Sequence, residues 1–131
     1  MEYTHKFDEK TGICTITVTG YHQRPLDSII LIKVIIGLCH ENKFKKFFVD
    51  MRQAEIGTTT KDSFITSSIP LQYEDELKQA KLAYLYADDL ENHKFLEYLA
   101  IKKGYNTCIF NDYDRAINWL KADLKSDKRN Q

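Results

Sequence analysis

Three acidic residues follow short apolar runs and could together hold a divalent cation. Asp50, Asp88 and Asp112 each stand at the C-terminal end of a predicted strand, and Asp89 adjoins the second of them. Ligands of open α/β sheets bind at this edge, and Mg²⁺ prefers oxygen ligands, so the three carboxylates are candidate metal ligands. Helix capping is the alternative, because Asp88 and Asp112 also stand where predicted helices begin. Capping leaves Asp50 unexplained.

Four hydroxyl side chains cluster where another helix is predicted to start. They are Thr58, Thr59, Thr60 and Ser63. A helix N-terminus stabilises a phosphate through its free N–H groups and its dipole, so these residues are candidate phosphorylation sites. Turns and caps formed by Ser and Thr account for the same residues. The sequence contains no glycine-rich phosphate-binding loop, and it therefore does not indicate a nucleotide site.

The histidines and cysteines show no spacing typical of catalysis or of metal binding. The four histidines, His5, His22, His40 and His93, form no HxH or HExxH motif. Cys39 and His40 are adjacent in a predicted helix, where neighbouring residues point to different faces. The sequence thus gives no positive indication of an enzyme.

The composition narrows the classes of partner. The 131 residues include 19 basic and 19 acidic side chains, so the net charge is zero and nothing favours nucleic acid as a partner. Three cysteines without a CxxC pair predict reduced thiols and a cytoplasmic location. The most apolar stretch, from Leu26 to Cys39, contains Lys33 and is shorter than the ~18–20 residues of a membrane-spanning helix. We therefore expect no membrane span.

The elements that position these residues follow from the hydrophobic pattern. An alternating start and a β-branched run from Ile13 to Thr19 predict a hairpin. Further strands are predicted at 45–50, 81–87 and 105–110, a polar loop at 51–60, and helices at 26–42, 62–69, 73–79, after Asp88 and after Asp112. The order ββαβαβαβα predicts an α/β fold with a mixed, mostly parallel sheet packed with helices. We expect a single domain over residues 1–124 and a charged, frayed tail over 125–131.

The predicted helix over residues 26–39 is apolar around most of its circumference. Such a helix has more apolar surface than one sheet face covers, which predicts a protein partner or a homodimer. The candidate interface residues are Ile29, Leu31, Ile32 and Ile36. A small apolar or lipid-like ligand between this helix and the sheet is the alternative use of the same surface.

Three stretches of the chain match the pattern of a known family. They are residues 47–52, 81–86 and 103–112, the last running into Ala116, Ile117, Trp119 and Leu120. Together with the element order, they resemble the SpoIIAA-like branch of the STAS (sulphate transporter and anti-sigma factor antagonist) domains, often grouped with CRAL-TRIO-type lipid-binding domains. The resemblance implies a non-catalytic, cytoplasmic regulatory or protein-interaction domain without a cofactor. It also implies a phosphorylated serine at the start of the helix after the third strand. Ser63 is the nearest position in this sequence, although Phe64 stands where the family motif has Ser or Thr.

Overall fold

The alternating residues near the N-terminus form the predicted hairpin. In a computed structural model, which describes residues 1–24, 26–57 and 71–122, β1 (Glu2–Asp8) pairs antiparallel with β2 (Ile13–Gln23). The turn between them closes at Gly12, which has a φ of +73° and donates its N–H to the carbonyl of Asp8 at 2.8 Å. Glycine adopts this left-handed conformation without the steric cost that a Cβ would add.

The later elements alternate between helix and strand. They are α1 (Leu26–Asn42), β3 (Lys46–Gly57), α2 (Glu74–Leu77), β4 (Lys81–Leu85), a 3₁₀ turn (Leu90–Asn92), α3 (Lys94–Lys103), β5 (Asn106–Phe110) and α4 (Tyr113–Lys121). The sheet order is β1-β2-β3-β4-β5, and every pairing after the hairpin is parallel. The predicted α/β fold with a mixed, mostly parallel sheet is confirmed. None of the described helices is long and apolar enough to cross a membrane.

The sheet separates two hydrophobic cores. Successive strand residues point to opposite faces, so Phe47 joins one core and Phe48 the other. The first core lies under α1, α2 and α3 and includes Ile35 and Leu77. The second lies under α4 and includes Leu120. Each helical layer therefore has its own apolar face of the sheet.

Strands β2 and β3 are longer than the sequence predicts. Residues 51–57 continue β3 instead of forming a loop, because β2 continues beside them to Gln23 and supplies their backbone partners. Gly20, with a φ of +77°, follows a register shift between Thr17 and Thr19. The predicted helix at 73–79 is shorter, since only Glu74–Leu77 is helical. The expected tail over 125–131 lies outside the described residues.

Candidate functional site

The carboxylates of Asp50 and Asp112 have separate structural partners. Both oxygens of the largely buried Asp50 accept hydrogen bonds from Arg52, at 2.9 Å from Nε and 2.8 Å from Nη2. These bonds hold the pKa of Asp50 below its usual range. Asp112 caps α4, because its Oδ1 accepts the N–H of Arg115 at 3.1 Å. The capping alternative is confirmed for Asp112.

The capping prediction is wrong for Asp88. Its neighbour Asp89 caps the 3₁₀ turn and accepts the N–H of Glu91 at 3.0 Å. Asp88 instead accepts hydrogen bonds from His93 Nε2 at 2.7 Å and from Asn92 Nδ2 at 3.2 Å. Within residues 1–24, 26–57 and 71–122, no three His, Cys, Asp or Glu side chains cluster as a metal site would require. The candidate hydroxyls Thr58, Thr59, Thr60 and Ser63 lie outside the described residues.

The apolar residues of α1 divide between the core and the surface. Leu31 and Ile36 are buried in the first core, so a partner cannot reach these two candidate interface residues in this structure. Ile29 and Ile32 are partly buried and line a cleft beside the sheet.

The cleft lies between α1, α3 and the face of the sheet that carries the first core. Its volume is about 140 Å³. Most of its lining is apolar: Ile29, Leu31 and Ile32 from α1, Leu96, Leu99 and Ala100 from α3, Met51, Leu82 and Ile109 from the sheet, and Leu71 from the segment before α2. The polar lining groups include His22, Arg24, Ser28, Tyr86, Glu97, Lys103, Tyr105 and Thr107. An apolar cavity with a few convergent polar groups is the usual form of a small-molecule site.

A buried polar network connects Arg24 and Tyr86, which line the cleft just after β2 and β4, to His93. Arg24, which is 3% exposed, donates from Nη2 to the hydroxyl of Tyr86 and to Nδ1 of His93, both at 3.0 Å. The His93 ring stacks on Tyr86 at a centroid distance of 3.6 Å. Since Nδ1 accepts from Arg24 and Nε2 bonds Asp88, His93 is neutral with its proton on Nε2. Both of its ring nitrogens are therefore engaged.

A second histidine in the cleft contacts a serine. Ser28 Oγ lies 3.1 Å from Nε2 of His22, a pair that no sequence motif indicates. The other His22 nitrogen faces the sulfur of Met1 at 3.0 Å instead of an orienting carboxylate. Burial, and secondly the charge of Arg24, lower the pKa of His22 to about 4. A base so weak is a poor activator of a serine at neutral pH.

The thiols in the described core are also unreactive. Burial raises the pKa of Cys14 to about 11 and raises that of Cys39 as well. Both thiols therefore remain protonated at neutral pH, and the thiolate is the nucleophilic form.

Thr107 is the polar residue whose position most favours a ligand. It lies on β5, lines the cleft and is 2% exposed. Among the described residues, its hydroxyl has no hydrogen-bond partner. A buried hydroxyl without a partner costs about 1–3 kcal/mol, and a polar group of a bound molecule would recover that cost.

A scan against protein-family models finds no match for the chain, and a search of curated proteins finds no relative. Two solved structures match at low sequence identity. One is an uncharacterized protein of the DUF3478 family with a SpoIIAA-like fold from Shewanella loihica PV-4, with a TM-score of 0.53 and 10% identity over 91% of this chain and 92% of that one. The other is an anti-sigma factor antagonist from Mycobacterium paratuberculosis, with a TM-score of 0.54 and 12% identity over 92% of this chain and 96% of that one. The chain has a SpoIIAA-like fold, as the sequence resemblance implies.

Proposed function

We propose that this protein is a non-catalytic regulatory domain that binds a small, mostly apolar molecule in the cleft between α1, α3 and the sheet. The observation that carries the proposal is the cleft itself, with the unsatisfied Thr107 hydroxyl on an apolar wall. The engaged nitrogens of His93 and the weak basicity of His22 support a binding role rather than a catalytic one. The regulatory role draws on the fold shared with an anti-sigma factor antagonist.

The volume of the cleft limits the size of the ligand. An engineered apolar cavity of about 150 Å³ in another protein binds benzene, and this cleft measures about 140 Å³. The proposed ligand is therefore of benzene size, with one polar group that reaches Thr107. A long-chain lipid would need the cleft to widen, so we favour the small apolar ligand over the lipid-like one.

Titration with phenol and toluene tests this proposal, because the two molecules differ mainly by one hydroxyl. The ratio of phenol affinity to toluene affinity is expected to fall about tenfold in Thr107→Val, which keeps the side-chain shape but cannot pair with the phenol hydroxyl. Saturable methyl chemical-shift changes at Ile109 and Leu99 provide the measurement.

The matched controls are a substitution that fills the cleft and a substitution on the opposite, exposed side of α3. Ala100→Phe places a ring inside the cleft and should abolish binding of both molecules, whereas Tyr98→Ala, on the exposed side of the same helix, should leave binding unchanged. If neither molecule saturates, or if Ala100→Phe binds like wild type, the cleft is not the site.

A protein partner on the outer side of α1 is the second candidate function. Leu26 and Ile30, one helical turn apart, are 66% and 48% exposed. These two side chains form an apolar strip that a partner would remove from water. The residue next to Ile30 in sequence, Ile29, lines the cleft.

A photo-crosslinking residue at position 30 tests the partner surface in the native host cell. A discrete adduct from position 30, and none from position 42 at the exposed far end of α1, is the expected result. Equal adducts from both positions, or none from position 30, would exclude this surface as a partner site.

A further inference from the structure

The two edges of the sheet differ in how they are protected. At the β5 edge, Glu97 of α3 accepts the N–H of Ile109 at 2.8 Å, so a carboxylate occupies a backbone donor that a further strand would need. At the opposite edge, all seven residues of β1 are exposed. Among the described residues, β1 pairs with β2 and with no other strand. An edge of this length is a template for pairing with another chain.

The charges of β1 are self-complementary in one antiparallel register. Side chains alternate along a strand, so Glu2, Thr4 and Lys6 share one face. If a second copy pairs antiparallel about Thr4, Glu2 of each copy stands opposite Lys6 of the other. Within the hairpin these two residues stand opposite Thr19 and Thr15, and neither forms an ion pair with a described residue.

The neighbouring register is disfavoured by charge. Pairing about His5 would place Glu2 opposite Asp8 of the second copy, and directly opposed like charges destabilise a sheet. Asp8 accepts a hydrogen bond from the N–H of Lys10 at 3.0 Å, which lowers the pKa of its carboxyl and keeps it charged. Phe7, which that register would place opposite Tyr3, already stacks on Phe44 at 4.2 Å.

We infer that β1 is a dimerisation edge, on which a second copy of this chain pairs antiparallel about Thr4 and continues the sheet from one copy into the other. Two symmetry-related Glu2–Lys6 pairs set the register, and Thr4 faces Thr4 at the twofold axis. This contact is distinct from the cleft, and it also differs from the helix-mediated dimer that the sequence suggests.

Charge reversal on β1 tests the inference by sedimentation equilibrium of the untagged chain. The wild type should approach twice the 15.4 kDa mass of one chain as its concentration rises. Glu2→Lys would place the introduced lysine opposite Lys6 of the second copy, and Lys6→Glu would place the introduced glutamate opposite Glu2. Because like charges would then face each other, each single variant should weaken dimerisation about tenfold or more.

Two ways of combining the charge reversals identify the register of the pairing. The double variant Glu2→Lys/Lys6→Glu should dimerise like wild type, and an equimolar mixture of the two single variants should form a heterodimer. Both substitutions are on exposed positions opposite threonines, and circular dichroism of each variant checks that folding is retained. A wild type that remains monomeric, single variants that still dimerise, or a double variant that does not recover would each overturn the inference. Ligand binding in the cleft is a separate outcome, since none of these variants touches it.

Discussion

The buried histidine His22 should make folding stability depend on pH. Its pKa is about 4 in the folded protein, because burial and the charge of Arg24 disfavour its protonated form, against 6.5 for an unperturbed histidine. Below pH 6.5 the unfolded chain therefore binds a proton that the folded chain does not, and stability decreases as the pH is lowered to about 4. At 1.36 kcal/mol per pKa unit, this shift corresponds to about 3 kcal/mol. The pKa of His93 is also lowered, so it acts in the same direction.

Urea unfolding at pH 7.5, 6 and 5 measures this effect. His22→Gln removes the titrating group and keeps a side chain that can hydrogen-bond Ser28, so the variant should lose stability less steeply than wild type between pH 6.5 and 4. His5→Gln, on the exposed β1, controls for the loss of one histidine. Parallel pH profiles for wild type and His22→Gln would show that His22 is not the source.

The residue roles that the sequence predicts correctly are the local ones. Asp112 caps the helix that begins beside it, and its partner Arg115 is three residues away. The prediction fails for Asp88 because a hydrogen bond to His93 in the folded chain competes with capping, and Asp89 takes that role. No sequence signal points to Arg24, since its partners Tyr86 and His93 are 62 and 69 residues away. These three residues come together only when β2 and β4 are part of one folded sheet.

At the scale of elements, periodicity locates the strands and tertiary pairing sets their lengths. The second half of β3 contains Arg52, Gln53 and Glu55, whose polarity favours a loop. The segment is nevertheless a strand, because Gly20 to Gln23 of β2 pairs with Ala54 to Gly57. Backbone hydrogen bonds to a neighbouring strand thus override a weak side-chain preference.

Helix α1 shows why an apolar circumference overstates a binding surface. It packs on the sheet and also contacts α2, so Leu31, Ile35 and Ile36 are buried without any partner. Ile29 and Ile32 line the cleft, and the exposed apolar remainder is largely Leu26 and Ile30. A helical wheel counts the apolar residues correctly. It does not show that the sheet and α2 bury some of them and that others line the cleft.

At the scale of the molecule, one sheet joins two cores that have no helix in common. The strands β3 and β4 contribute to both, through Phe47 and Leu82 on one face and Phe48 and Leu85 on the other. Loss of either core therefore removes support from the same strands, and we expect the described domain to unfold as one cooperative unit.

Truncation of Leu120 tests whether the two cores are coupled. This side chain is fully buried under α4, so Leu120→Ala should lower the free energy of unfolding by about 2–5 kcal/mol. Trp119, the one tryptophan of the sequence, lies in α4 and reports this layer by fluorescence, while far-ultraviolet circular dichroism reports the whole chain. In a coupled molecule the two signals shift together, and the exposed control Asn118→Ala shifts neither appreciably. A fluorescence transition that precedes the dichroism transition would mean that α4 detaches while the first core remains folded.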